Sequence, residues 1–68
     1  MATRVLLIED EPILISLYAL ILARAGFEVK TAMTLREGEE HVLQGHPHVV
    51  LLDLLIPTGG VKEAPLNL

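Results

Sequence analysis

The sequence predicts an α/β fold in which three strands of a parallel sheet alternate with two helices. Two apolar runs, residues 4–8 and 48–57, are typical of strands buried on both faces of such a sheet. Residues 27–32 alternate apolar and polar side chains, which favours a half-exposed strand at a sheet edge. Because crossovers between parallel strands are right-handed, we expect the spatial strand order 2-1-3.

The first helix is predicted to run from about Pro12 to Ala25. Proline is favoured in a first helical turn, and Gly26 suits the position just beyond a helix C-terminus. Apolar residues cover nearly every face of this helix: Ile13, Leu14, Ile15, Leu17, Leu20, Ile21 and Leu22. A helix that is apolar all round is buried all round. Two explanations stay open: a position between the sheet and another element of a complete domain, or an oligomer interface.

The second helix is predicted from Thr34 to about Gln44, with Gly45 as its stop. Thr34 and Glu37 have the spacing of a capping box, in which the threonine caps the helix and the glutamate side chain reaches back. Gly38 lies inside this helix and weakens it by about 1 kcal/mol relative to alanine.

The composition indicates one small domain with more apolar surface than it can bury alone. The chain has 68 residues, a net charge of −4 and 51% hydrophobic residues. We therefore expect another copy, a partner or further chain to cover apolar surface. Scattered basic residues argue against direct nucleic-acid binding, and no apolar stretch reaches the length of a membrane span. The absence of cysteine and of a secretion signal favours a cytoplasmic location.

Three carboxylates are predicted to meet at one edge of the sheet. Glu9 and Asp10 follow the first strand, and Asp53 lies near the carboxyl end of the neighbouring third strand. Such acids repel one another unless a cation joins them, and their oxygens suit Mg²⁺. An ionised aspartate beside Mg²⁺ can attack a phosphoryl donor. The alternative is that these acids form a solvent-exposed acidic edge of the sheet and take part in no chemistry.

Residues 5–12 and 47–57 together resemble the receiver domain of two-component response regulators, which has a flavodoxin-like fold. The resemblance implies that Asp53 is a phosphoacceptor and that the chain is not an enzyme. It implies a histidine kinase or a phosphotransfer protein as the partner that donates the phosphoryl group. It also implies that Mg²⁺ is the cofactor, with four ligands from the chain: Glu9, Asp10, Asp53 and the backbone carbonyl of Leu55.

The sequence departs from the receiver pattern after Pro57. Receiver domains have five strands, with a hydroxyl residue ending the fourth and a lysine ending the fifth, and neither Thr58 nor Lys62 matches these positions. We expect residues 1–57 to form a truncated, receiver-like half-domain, completed by a homo-oligomer or by missing chain, and residues 58–68 to form a loop or tail. The third strand is then an apolar sheet edge, and switching is impaired.

Other functions stay open beside the phosphoacceptor role. The chain could be an interaction or oligomerisation module that is not phosphorylated, or an inert fragment of a longer response regulator. A dehalogenase-type phosphatase is disfavoured because Leu55 stands where a second aspartate is needed, and a flavodoxin because acids follow the first strand. His41, His46 and His48 are interpreted as surface or turn residues rather than zinc ligands.

Overall fold

The computed structural model describes residues 2–53, which fold as βαβαβ. The predicted boundary at residue 57, the carbonyl of Leu55 and the tail at residues 58–68 lie outside the described residues. The elements, in chain order, are β1 (Arg4–Ile8), α1 (Pro12–Arg24), β2 (Glu28–Ala32), α2 (Leu35–Gly45) and β3 (Val49–Leu52).

The sheet is parallel, and its strand order β2-β1-β3 confirms the predicted topology. The central strand β1 lies in register with both neighbours, so that Val5 is level with Val29 on one side and Val49 on the other. Four consecutive residues of β1, Val5 to Ile8, are at most 5% exposed. The continuous apolar run at residues 4–8 is therefore explained by burial on both faces of the sheet.

The two helices cover opposite faces of the sheet. Leu6 and Ile8 form the small core with Ala32, and Leu35 of α2 packs against it. Leu7 points the other way, as alternate strand residues do, and lies near Ile21 and Leu22 of α1.

The expectation that residues 48–57 form a strand buried on both faces is wrong for the part that the structure describes. Each residue of β3, Val49–Leu52, is 40–45% exposed. The reason is that β3 is an edge of the sheet formed by residues 2–53, and the contacts of α1 and α2 are with β1 and β2. The prediction that the third strand is an apolar sheet edge is confirmed for these residues.

The side chains of helix α1 are also largely exposed to solvent. None of its residues is buried, and Ile13 is 81% exposed. Its ends match the prediction closely, because Pro12 opens the helix, Ala25 is the C-cap and Gly26 has a φ of +99°. A positive φ of this kind favours glycine, which has no Cβ to clash. Neither described helix is long and apolar enough to cross a membrane.

Helix α2 is capped largely as its sequence predicts. The Glu37 N–H donates to Thr34 Oγ1 at 3.0 Å, and Glu37 Oε1 accepts from the N–H of Met33 at 2.8 Å, one residue before the cap. The helix continues through Gly45, one residue beyond the predicted end, and His46 takes the left-handed conformation with φ +48°. Pro47 disfavours a right-handed helical conformation at His46, which explains why α2 ends there.

Candidate metal and phosphoacceptor site

The predicted carboxylates converge at the carboxyl edge of the sheet. Glu9 and Asp10 directly follow β1, and Asp53 directly follows β3. The Asp53 N–H donates to the Ile8 carbonyl at 3.0 Å, which ties the two strand ends together. One carboxylate oxygen from each of Glu9, Asp10 and Asp53 can be chosen so that all three lie within 4.8 Å of one another.

Glu9 is the buried member of this cluster, with 3% of its surface exposed. Its N–H donates to the carbonyl of Ala32 at 2.9 Å, so the backbone of β2 holds the residue at the sheet edge. Its Oε2 accepts from the N–H of Glu11 at 3.0 Å, which orients the carboxylate.

Burial raises the pKa of the Glu9 carboxyl group, and the hydrogen bond and negative charge of Asp53 and a hydrogen bond to Asp10 add to this increase. The N–H of Glu11 acts in the opposite direction, because it stabilises the ionised form. The net increase in pKa means that Glu9 binds a proton more readily than an isolated glutamate does. A cation at the same place would relieve the same repulsion.

The donor set fits Mg²⁺. This ion binds oxygen ligands, takes one or two carboxylates from the protein and keeps several waters. Asp10 is exposed and Asp53 is half-buried, so an ion bound to both can keep water ligands. Glu9 is buried beside them and contributes a third carboxylate. The fourth predicted ligand, the carbonyl of Leu55, lies outside the described residues.

An open apolar hollow of about 500 Å³ borders the acidic cluster. It lies between α1 and β3 and is lined by Leu7, Glu9, Tyr18, Ile21, Leu22, Leu51, Leu52 and Asp53. Asp53 therefore stands at a boundary between a polar edge and an apolar surface. The sequence indicated the excess of apolar residues but not this position, because the hollow is formed by residues distant along the chain.

The histidines do not form a metal site in the part of the chain that the structure describes. Within residues 2–53, the acidic cluster is the group with three or more potential ligands, and it contains no histidine. His48 instead accepts a hydrogen bond at Nδ1 from the N–H of Arg4 at 2.9 Å. The guanidinium of Arg4 donates to the carbonyl of His46 at 2.9 Å. The interpretation of His46 and His48 as turn residues holds, but the sequence carried no signal for this link to β1.

Comparison with known proteins identifies the family. The family model of the response regulator receiver domain matches residues 5–61, which is most of the chain. A chain with this match, a parallel 2-1-3 sheet and acids at the ends of β1 and β3 is a receiver domain. The chain belongs to the response regulator receiver domain family, and the resemblance carried by residues 5–12 and 47–57 is confirmed.

One curated relative is the DNA-binding dual master transcriptional regulator RpaA of Synechocystis sp.. It is 33% identical to this chain over 54 residues, which are 79% of this chain and 22% of the relative. The chain therefore spans about a fifth of the length of the curated relative that it matches.

Proposed function

We propose that this chain is a phosphoacceptor module of a two-component signalling system, in which Asp53 takes a phosphoryl group from a histidine kinase or a phosphotransfer protein. The observation that carries the proposal is the convergence of Glu9, Asp10 and Asp53, with one carboxylate oxygen of each within 4.8 Å of the others at the carboxyl edge of the sheet. Membership of the receiver family supports the same role.

The acceptor chemistry follows from the position of Asp53. One of its carboxylate oxygens attacks the phosphorus of a phosphohistidine, an O–P bond forms, and the N–P bond breaks with its electron pair going to the imidazole. Its backbone N–H is held by Ile8, so the nucleophile is fixed at the end of β3. Its half-buried position leaves the edge accessible to a donor.

Glu9 and Asp10 hold Mg²⁺ together with Asp53 in this proposal. When bound, Mg²⁺ offsets the negative charge on the oxygens of the transferred phosphoryl group. Glu9 keeps its orientation through the N–H of Glu11, and the exposed carboxylate of Asp10 completes the pair. These two residues therefore bind the cofactor, and the nucleophile is Asp53.

The chain acts as an acceptor and not as an enzyme, and we place it in the cytoplasm, where it needs neither a membrane nor direct contact with nucleic acid. We propose that phosphorylation takes place at Asp53 itself.

A second candidate function is an interaction module without phosphorylation. The exposed apolar residues of β3 and α1 favour it, since large exposed apolar patches mark sites of association. We propose that copies of the chain associate through such surface, forming a homo-oligomer. Association and phosphorylation are compatible, and the experiment on Asp53 separates the two roles.

Intact mass spectrometry tests the acceptor role. The folded 68-residue chain is incubated with acetyl phosphate, with and without Mg²⁺, and the mass of one added phosphoryl group is measured. We expect the adduct in the wild type with Mg²⁺, little without the ion, and none in Asp53→Asn. Glu11→Gln is the matched control, because its side chain is exposed and lies outside the cluster.

Two outcomes would overturn the proposal. An adduct of equal yield in Asp53→Asn would assign the modification to another residue. No adduct on a sample whose circular dichroism shows a folded chain would leave the interaction role as the better account.

A further inference from the structure

Helix α2 meets the sheet beside the carboxyl ends of β1 and β2. Gly38 is buried within the helix. A Cβ at this position would meet the side chain of Ile8, with Cγ1 at 3.0 Å and Cδ1 closer still, and Ala32 Cβ at 3.9 Å. Ile8 and Ala32 are the last residues of their strands and lie level with each other. Position 38 is therefore adjacent to the point where the strands end and the acidic cluster begins.

The same two strand-end residues hold the acidic cluster through their backbone carbonyls. The carbonyl of Ile8 accepts from the N–H of Asp53 at 3.0 Å. The carbonyl of Ala32 accepts from the N–H of Glu9 at 2.9 Å. Ile8 also directly precedes Glu9 in the chain. A displacement of Ile8 therefore moves both Glu9 and Asp53, which supply two of the three carboxylates of the cluster.

A side chain at position 38 would act on the backbone of Ile8. The closest atoms, Cγ1 and Cδ1, form one branch of a β-branched side chain, in which rotation about χ1 is restricted. Ile8 is 5% exposed and packs with Leu6 and Ala32 in the core. Packed interiors have few voids, so a displaced side chain passes the strain to its neighbours and to its own backbone. An added Cβ at position 38 therefore pushes the end of β1 away from α2.

We propose that Gly38 is a positioning residue of the acidic cluster. Because it has no side chain, Ile8 can hold Glu9 and Asp53 where their carboxylates share one cation with Asp10. Gly38 contributes no ligand and acts through Ile8. This inference rests on the proposed function, since it concerns the same site, and it adds a requirement that α2 places on that site.

The size of the effect follows from what such residues do at other metal sites. Substituting a residue that orients metal ligands typically costs about 10- to 100-fold in metal affinity or activity. A single added methyl group displaces the ligands without removing any of them, so the lower end of this range applies. We expect Gly38→Ala to bind Mg²⁺ about 10-fold more weakly than the wild type. The adduct on Asp53 should form more slowly for the same reason.

The metal-free chain tests the geometry directly, through nitrogen–proton correlation NMR spectra of its amides. We expect the amide signals of Glu9 and Asp53 to move in Gly38→Ala, because their hydrogen bonds to the strand ends change, and that of Arg4, at the other end of β1, to stay in place. Gly45→Ala is the matched control, because its Cβ would meet nothing within 4 Å, and it should move none of these signals. Folded and unfolded molecules give separate signals, so the comparison holds for a partly unfolded variant.

Titration of the same signals with Mg²⁺ measures the affinity, and intact mass spectrometry with acetyl phosphate measures the rate of adduct formation. Ile8→Val, alone and combined with Gly38→Ala, is the rescue variant. It removes Cδ1, and the remaining contact of Cγ1 at 3.0 Å is relieved by a shift of a few tenths of an ångström. We expect the double variant to recover most of the lost affinity. A merely structural role of Gly38 would lower the urea midpoint and leave the Mg²⁺ affinity of folded molecules unchanged.

Two results would overturn the proposal. The first is a Gly38→Ala chain whose Glu9 and Asp53 amide signals coincide with those of the wild type. The second is a loss of Mg²⁺ affinity that Ile8→Val does not relieve or that Gly45→Ala shares, which would assign the effect to α2 as a whole. Failure of the acceptor role is distinguishable. In that case the wild type binds no Mg²⁺ and gives no adduct, while the two amide signals still report whether Gly38 positions the cluster.

Discussion

Gly38 tests whether packing or helix propensity decides the stability of α2. Glycine inside a helix is about 1 kcal/mol less favourable than alanine, so propensity alone predicts that Gly38→Ala stabilises the fold. In the structure, however, a Cβ at this position would meet the Ile8 side chain, with Cγ1 at 3.0 Å and Cδ1 closer still, and Ala32 Cβ at 3.9 Å. Ile8 is 5% exposed and belongs to the core.

The magnitude follows from these two opposing effects. Forcing an extra methyl group into a packed core costs about 1–3 kcal/mol. Subtracting the gain of about 1 kcal/mol in helix propensity leaves a net destabilisation of about 0–2 kcal/mol for Gly38→Ala. Gly45→Ala is the matched control in the same helix, because its Cβ would meet nothing within 4 Å. It should stabilise the fold by up to about 1 kcal/mol.

Urea denaturation at fixed protein concentration measures both variants, since association would otherwise shift the apparent stability. Ile8→Val removes the methyl group nearest to Gly38 and completes a double-mutant cycle. We expect the double variant with Gly38→Ala to be more stable than the sum of the two single changes by at least about 0.5 kcal/mol. Gly38→Ala that is as stabilising as Gly45→Ala, with no coupling to Ile8, would refute the packing argument.

The remaining predictions concern the helix cap, the acidic cluster and the amino end of the sheet. Thr34→Ala should cost about 1 kcal/mol in urea denaturation because the Glu37 N–H loses its acceptor, whereas Thr34→Ser should retain it. Burial and neighbouring acids raise the pKa of Glu9 above its unfolded value, so its ionisation destabilises the fold as pH rises through the folded pKa. Glu9→Gln without Mg²⁺ should therefore raise Tm at neutral pH and lose this advantage in acid; the same difference at every pH would contradict the assignment. His48→Ala should destabilise the chain by about 0.5–1.5 kcal/mol because the Arg4 N–H loses its acceptor, which thermal unfolding at constant pH measures.

Several elements follow from local sequence alone. The apolar run of β1, the proline at the start of α1 and the capping residues of α2 act on their own neighbours, and the structure has each of them close to the predicted place. The end of α2 differs by one residue because Pro47, rather than Gly45, decides where the helix stops. Element boundaries depend on such competing local effects.

The acidic site could be predicted because strand order and strand polarity together place its residues. Once the sheet is parallel with order 2-1-3, the residues after β1 and β3 must meet, and Glu9, Asp10 and Asp53 do so. The apolar run at residues 48–57 taken alone predicted burial on both faces, because such a run is the same whether its strand lies inside a sheet or at its edge. The contact of Gly38 with Ile8 and the hydrogen bond of His48 to Arg4 were missed because each joins distant parts of the chain.

The sequence by itself thus determined the order and type of the elements and the acidic residues that meet at the carboxyl edge of the sheet, because periodicity, caps and strand ends are properties of short segments. Only the tertiary structure decided which apolar residues are covered, in which direction the pKa of Glu9 shifts, and how little space there is for a side chain at position 38. These properties depend on neighbours that are brought together by the sheet and the helices packed on it. The burial of Glu9, the exposure of Val49–Leu52 and the narrow space beside Ile8 all arise in this way.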